Sequence, residues 1–307
     1  MPRDHDFDPS VFHHEWDLDL EPALAVSSGD TVRYDFTVAG EGQVWPGATY
    51  AECRFDFGTI YNLSGPVWVN GAEPGDTLQI DVLELEHRDW GWSASLPGMG
   101  LLAADFPHGY VRTFELKDGV AQFAPGIDIP LAPFCGTLGN HPGEPRKNVP
   151  FPPHRGGGNI DNRHLVAGTS LWLPVHVPGA IFSVGDPHAV QGDGEVSVTA
   201  LEAPLTGALR FTLHKKGIDA PRFRVPAGSP AIKTGAYQAT MGLAPDLMEG
   251  ARIAVRSMIT WLSEQYGLSP DDAYLLCSLA GDLKIHEVVD AGVWNVGFTV
   301  PEFGSPS

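Results

Sequence analysis

The chain has 307 residues, 43% of them hydrophobic, and sets 19 Lys+Arg against 38 Asp+Glu for a formal net charge of −19. That charge excludes a general binder of nucleic acid or of an anionic membrane, because both surfaces repel it. It favours a neutral or cationic small molecule as partner. Gly (36) and Pro (27) make up about a fifth of the chain and only 19% of residues are charged, which suits a loop-rich β protein better than a helical one.

The opening residues, Met1-Pro2-Arg3-Asp4-His5-Asp6, hold no apolar run, and no stretch of about 18 apolar residues follows. A soluble, cytoplasmic protein is therefore expected. Strands are predicted over Val32–Val38 and Leu78–Leu85, where apolar and polar residues alternate. Each follows a Gly-Asp-Thr turn, and the likeness of SGDTVRYDF to PGDTLQIDV reads as one turn chemistry used twice. Residues 123–158 are Pro/Gly-rich with little periodicity, a pattern that packs over a functional site or a subunit contact. Further strands are predicted over 168–177, 180–184, 195–201 and 209–214.

After about residue 240 the pattern becomes helical. Asp246 is an N-cap with Glu249 at N3, and Ala251, Ala254, Val255, Met258, Leu262 and Tyr266 recur at helical spacing before Gly267. Ser269-Pro270-Asp271-Asp272 opens a second helix, ended by Gly281, and strands over 284–289 and 293–300 close the chain. The expectation is a mainly β, β-sandwich-based fold with a C-terminal helical hairpin, α+β in detail. We read it as a single domain over 1–307, β-rich over 11–240, with the hairpin and closing strands over 241–303.

The densest polar cluster joins Gly156-Gly157-Gly158-Asn159-Ile160-Asp161 to Gly185-Asp186-Pro187-His188-Ala189-Val190-Gln191-Gly192-Asp193-Gly194-Glu195. Alternate residues of a strand share a face, so a strand over 195–201 puts Asp193, Glu195, Ser197 and Thr199 together and turns Val196, Val198 and Ala200 inward. Carboxylates that point together repel unless a cation or a shared proton relieves them. Three readings stay open: a solvated Asp/Gly hairpin tip, a metal site of Asp161, Asp186, His188 and Glu195, or a metal-free acid–base pair of Asp193 and Glu195. Mixed carboxylate and imidazole donors suit Zn²⁺ or a similar divalent ion, and the oxygen-rich set leaves Ca²⁺ open.

Other residues read more plainly. His13-His14 is expected to be exposed, Cys135 to be a buried structural thiol, and Trp90-Gly91-Trp92 to pack. The three cysteines, Cys53, Cys135 and Cys277, form no CxxC pair, so no disulfide framework or structural zinc site is indicated. The triple glycine lacks the Lys-Ser/Thr of a phosphate loop, and no GxSxG elbow occurs.

The segments GGGNIDNRHL, LWLPVHVPGAIFSVGDPHAVQGDGEVSVTALE, NLSGPVWVNGAEPGDTLQIDVLELE and SEQYGLSPDDAYLLCSLAGDLKIHEVVD together resemble the acetamidase/formamidase family, over roughly residues 11–300 and in the family's order. The resemblance implies a β-sandwich-based fold, hydrolysis of a short neutral amide to carboxylate and ammonia, a homo-oligomer, and a divalent metal at the acidic cluster. Carried over residue by residue, Asn-Ile-Asp falls on Asp161, Gly-Asp-x-His on Asp186 and His188, and Gln-Gly-Asp-Gly-Glu on Gln191, Asp193 and Glu195. The chain departs from the pattern at Asn162-Arg163, where an apolar residue and Lys are usual, and at Pro187, where a small residue is usual.

On this reading a carboxylate left free by the metal, Asp193 or Glu195, moves the proton from water to the leaving nitrogen, and Asn159 and Gln191 orient the amide. Two rivals stand beside it. One is a Ca²⁺-dependent carbohydrate-binding or assembly module, and the other is a same-fold hydrolase of another C–N or ester bond.

Overall fold

The structure, a computed structural model, describes residues 1–100, 107–124, 127–192, 195, 197–229, 236–268 and 282–302. Among them the chain is mostly β, with one helix and two large sheets. The first sheet runs in the order Asp4–Asp6, Thr31–Phe36, Leu205–His214, Thr77–His87, Ser170–Pro174, Arg222–Val225, Tyr237–Ala244, Trp294–Pro301 and Asp282–Glu287. The second centres on Phe182–Val190, which pairs antiparallel with Phe134–Asn140, Leu201–Glu202 and Leu63–Val69.

The two sheets share one core. Phe182 of the second sheet meets Phe211 of the first edge to face at 5.2 Å, and both are fully buried. Phe134, Leu138, Leu171, Ile80 and Phe223 fill the same layer. A fully buried side chain of this size contributes roughly 1.5–3 kcal/mol, a reserve large enough to tolerate polar groups set into the layer's edge.

Both Gly-Asp-Thr turns are built alike. Gly29 and Gly75 take φ of 99° and 93°, and Asp30 and Asp76 each accept a 2.8 Å hydrogen bond from the backbone N–H of Ser27 and Glu73. The strands they start, Thr31–Phe36 and Thr77–His87, flank Leu205–His214 in one sheet.

Three predicted elements differ. The strand over 195–201 does not form: Glu195 and Val198 take positive φ of 43° and 84°, the chain turns there, and pairing resumes only at Leu201–Glu202. No shared face of Glu195, Ser197 and Thr199 exists, because a backbone in that region cannot keep the alternation of a strand. The irregular stretch 123–158 contains Phe134–Asn140, a strand buried along its whole length. Its glycines conceal it by interrupting the alternation that marks a strand. The strand predicted over 180–184 runs on through Phe182–Val190 and so carries Asp186 and His188.

The helix Leu247–Tyr266 begins at Asp246, whose carboxylate accepts from Glu249 N–H, and ends at Gly267 with φ 68°. Ala254, Met258 and Leu262 bury against Phe298 and Val300. Contact is close: a Cβ on Gly242 would stand 1.9 Å from the Gly250 carbonyl oxygen. The second helix of the expected hairpin, from Ser269 to Gly281, lies outside the described residues. No helix among the described residues is long and apolar enough to cross a membrane.

Candidate active site

Three adjacent strands converge on one point. Phe134–Asn140 pairs on one side with Phe182–Val190 and on the other with Gly157–Asn159, so Gly136 lies between Asp161 and the pair Asp186 and His188. Ile160 N–H and Asp161 N–H both donate to the Gly136 carbonyl, at 3.0 and 3.1 Å. A Cβ on Gly136 would stand 2.5 Å from Asp161 Oδ1, 2.5 Å from Asp186 Oδ2 and 2.7 Å from His188 Cε1. Asp161 and Asp186 take positive φ of 42° and 55°, a strained backbone that turns both carboxylates to this spot.

Ligand atoms of Asp161, Asp186 and His188 lie within 4.8 Å of one another, and so do those of His188, Glu195 and Glu202; all are buried. His188 Nε2 stands 3.3 Å from Asp186 Oδ2 and 3.2 Å from Glu202 Oε2. Neither contact is aligned as a hydrogen bond. Asp161 Oδ1, both Asp186 oxygens and Glu202 Oε2 are buried with no hydrogen-bond partner. Carboxylates buried this close together are expensive unless a cation or a proton relieves them, and two of these oxygens, Asp161 Oδ1 and Asp186 Oδ2, face the space that a Cβ on Gly136 would fill.

The electrostatics agree. Burial, then the neighbouring Asp186 charge, pushes Asp161 well above the usual carboxylate range. Burial, then Asp161, does the same to Glu195, and burial also raises Glu202. Burial alone would lower His188, but the Glu202 and Asp186 carboxylates outweigh it and hold the imidazole well above its ordinary value. The Tyr61 phenol, raised by burial and then by Asp186, Asp290, Asp161 and Glu195, stays protonated beside the cluster.

The sequence-predicted residues fall into three groups. Asp161, Asp186, His188 and Glu195 come together, Glu195 through His188 and Glu202 rather than at the Gly136 spot. Asn159 and Gln191 are occupied by the centre itself. Asn159 Nδ2 donates at 2.8 Å to both Asp161 and Asp290, and its oxygen accepts from Thr137 at 2.6 Å. Gln191 Oε1 accepts from His188 Nδ1 at 3.1 Å, and its Nε2 donates to the Asp161 carbonyl at 2.9 Å. These amides orient Asp161 and His188, leaving Nε2 to face the carboxylates, and Gln191 also lines the wide cavity. Asp193 lies outside the described residues.

The sequence reading missed Gly136, Glu202, Asp290 and Tyr61. Glu202 stands opposite His188 in the strand register, yet in Ala200-Leu201-Glu202-Ala203 it reads as an ordinary outward strand position. Cys135 is buried and its thiol is pushed up by burial, as an inert structural cysteine should be. Trp92 packs, donating from Nε1 to the Ala39 carbonyl. The His13-His14 pair is not exposed. Ser183 Oγ donates to His13 Nε2 at 2.8 Å, and His14 Nδ1 donates at 2.8 Å to the carbonyl of Tyr61.

A cavity of about 560 Å³ reaches Glu195 and Gln191, with Arg163 on its wall. Fold and site together define a mainly β protein with a buried carboxylate–histidine centre open to a cavity. The profile of the Acetamidase/Formamidase family matches residues 3–150 and 146–302, and the chain belongs to that family. It is 26% identical over 285 residues to the formamidase of Methylophilus methylotrophus, covering 74% of this chain and 70% of that protein. It is 25% identical over 248 residues to the acetamidase of Mycolicibacterium smegmatis, 60% of this chain and 61% of the relative. The crystal structure of a predicted acetamidase/formamidase from Thermoanaerobacter tengcongensis matches with a TM-score of 0.88 and 26% identity, over 98% of this chain and 96% of the other.

Proposed function

We propose that the chain hydrolyses short linear amides to carboxylate and ammonia at the acidic centre. The observation that carries this is the convergence of Asp161, Asp186 and His188 over Gly136, in a chain of this family. The orphaned oxygens and mixed oxygen–nitrogen donors fit a divalent cation, Zn²⁺ before Ca²⁺, held by Asp161, Asp186 and His188 with Glu202 or Glu195 beside them. Such an ion polarises an amide carbonyl and makes water more acidic.

The chain's own residues supply the rest. Glu195 lines the wide cavity, and burial and then Asp161 raise it well above the usual carboxylate range; this carboxyl takes a proton from water and returns it to the leaving nitrogen. Gln191 orients His188, and Asn159 anchors Asp161 to Asp290. Tyr61, kept neutral, is a donor for the developing negative oxygen.

The test is ammonia release from formamide and acetamide before and after chelation, with metal content by mass spectrometry. Release that stops on chelation and returns with metal is expected. Bound metal with no ammonia from any amide would overturn the amide reading in favour of an ion-holding binding module. Replacing Glu195 with Gln should lower turnover roughly 10²–10⁴-fold while metal stays bound; unchanged turnover removes the role given to Glu195.

A further inference from the structure

Two cavities meet the acidic centre from different sides. The wide one reaches Glu195 and carries Phe123 on its wall. The narrow one encloses only about 30 Å³, touches Glu202 and Asp290, and is otherwise walled by apolar and aromatic side chains, among them Tyr61, Trp92 and Phe151. Thr199 lines both, tied to Ala94 N–H at 2.8 Å. A third hollow of about 380 Å³ lies beyond Phe57, Met99 and Phe151 and shares Asp290 with the narrow one.

We propose that the narrow chamber receives the carbon side of the amide, with Phe57, Met99 and Phe151 as specificity-determining residues that admit a formyl group and resist longer acyl chains. The inference rests on the amide-hydrolase reading above. A volume of about 30 Å³ is room for roughly two water-sized spheres, enough for a formyl carbon and its oxygen and not for an alkyl chain.

The walls are held in place. Phe151 packs on Tyr61 at 5.0 Å between ring centroids and edge-on to Phe57 at 6.0 Å, and Trp92 is pinned through its 3.0 Å bond to Ala39. A further methylene has to displace these rings, of which Phe151 is half-buried and Phe57 exposed. Apart from Glu202, Asp290, the Tyr61 phenol and the Thr199 hydroxyl, the chamber is lined by apolar and aromatic side chains, which suit a C–H and give an N–H no acceptor. The nitrogen end therefore faces the wide cavity, where Glu195 can protonate it and ammonia can leave.

The test measures kcat/KM for formamide, acetamide, propionamide and butyramide on the purified full chain and on Phe151→Ala, Phe57→Ala and Phe123→Ala. The unsubstituted enzyme should lose roughly 10–200-fold for each added methylene. Phe151→Ala and Phe57→Ala should each recover about tenfold on the longer amides relative to formamide, while Phe123→Ala leaves the series unchanged. Phe57 is 41% exposed, so its truncation costs the fold little and keeps the test available should Phe151→Ala fail to fold. Butyramide turned over as readily as formamide, or a series shifted by Phe123→Ala alone, would overturn this inference and leave the amide reading standing. Ammonia from none of the four amides would overturn that reading itself.

Discussion

Asp81 and Asp161 are both buried aspartates in the same β architecture, and their surroundings are opposite. Asp81 accepts from Gln79 at 2.7 Å, Ser170 at 2.6 Å and Arg210 at 2.8 Å, and these bonds outweigh burial to hold it below the ordinary carboxylate range. Asp161 keeps one oxygen unpartnered and is pushed well above that range. The scaffold satisfies its acids and the centre leaves its acids unsatisfied. Unsatisfied acids in a stable fold mark the place where something else must bind or react.

That contrast can be broken from either side. The largest effect is expected at the centre: Asp186→Asn should lower ammonia release on the order of 10³-fold or more, while the melting temperature of the chelated protein rises as repulsion from Asp161 and Glu202 is relieved by more than the lost pairing with His188 costs. A fall in both would place Asp186 with the scaffold. Next, Asp81→Asn should cost roughly 1.5–3 kcal/mol in denaturant unfolding and leave kcat for formamide unchanged.

The pH dependence separates the two sets by sign. Burial raises Asp30 and Asp76, yet hydrogen bonds from Ser27, Arg3 and His5 to the first, and from Lys215 and Glu73 to the second, outweigh it. With Asp81, they add stability that is complete above about pH 4 and is lost as the pH falls through their lowered folded values. Glu287 behaves inversely. Burial lifts it to about 7, so the stability it contributes at low pH is lost as the pH rises toward that value. Unfolding measured on the chelated protein between about pH 3 and 8 should show a loss at each end. The smallest effect expected is that Glu287→Gln flattens only the upper one; an unchanged upper limb contradicts the assignment.

The scaffold was legible because alternation and turn chemistry are local. Val32–Val38, Leu78–Leu85 and the helix after Asp246 each announce themselves within a few residues, and each forms close to where it was read. The Asp161, Asp186, His188 and Glu195 grouping was legible as composition, since acids and a histidine crowd between glycines. Its geometry was not. Glu202 and Asp290 join it only through strand pairing and a return from the end of the chain, and Gly136 contributes by lacking a side chain. The error over 195–201 has the same root: Glu-Val-Ser-Val-Thr-Ala alternates as a strand does, and the positive φ at Glu195 and Val198 comes from tertiary demands that no alternation reveals.

The most direct test of the central claim is metal content of Gly136→Ala beside the unsubstituted protein. Gly136 needs no positive φ, so the backbone itself admits alanine, and the new methyl would fall 2.5 Å from Asp161 Oδ1 and Asp186 Oδ2 and force those side chains out of the space where they converge with His188. Bound divalent metal and ammonia release should both disappear while the circular dichroism spectrum is unchanged. A folded Gly136→Ala that keeps its metal and its turnover would contradict the account.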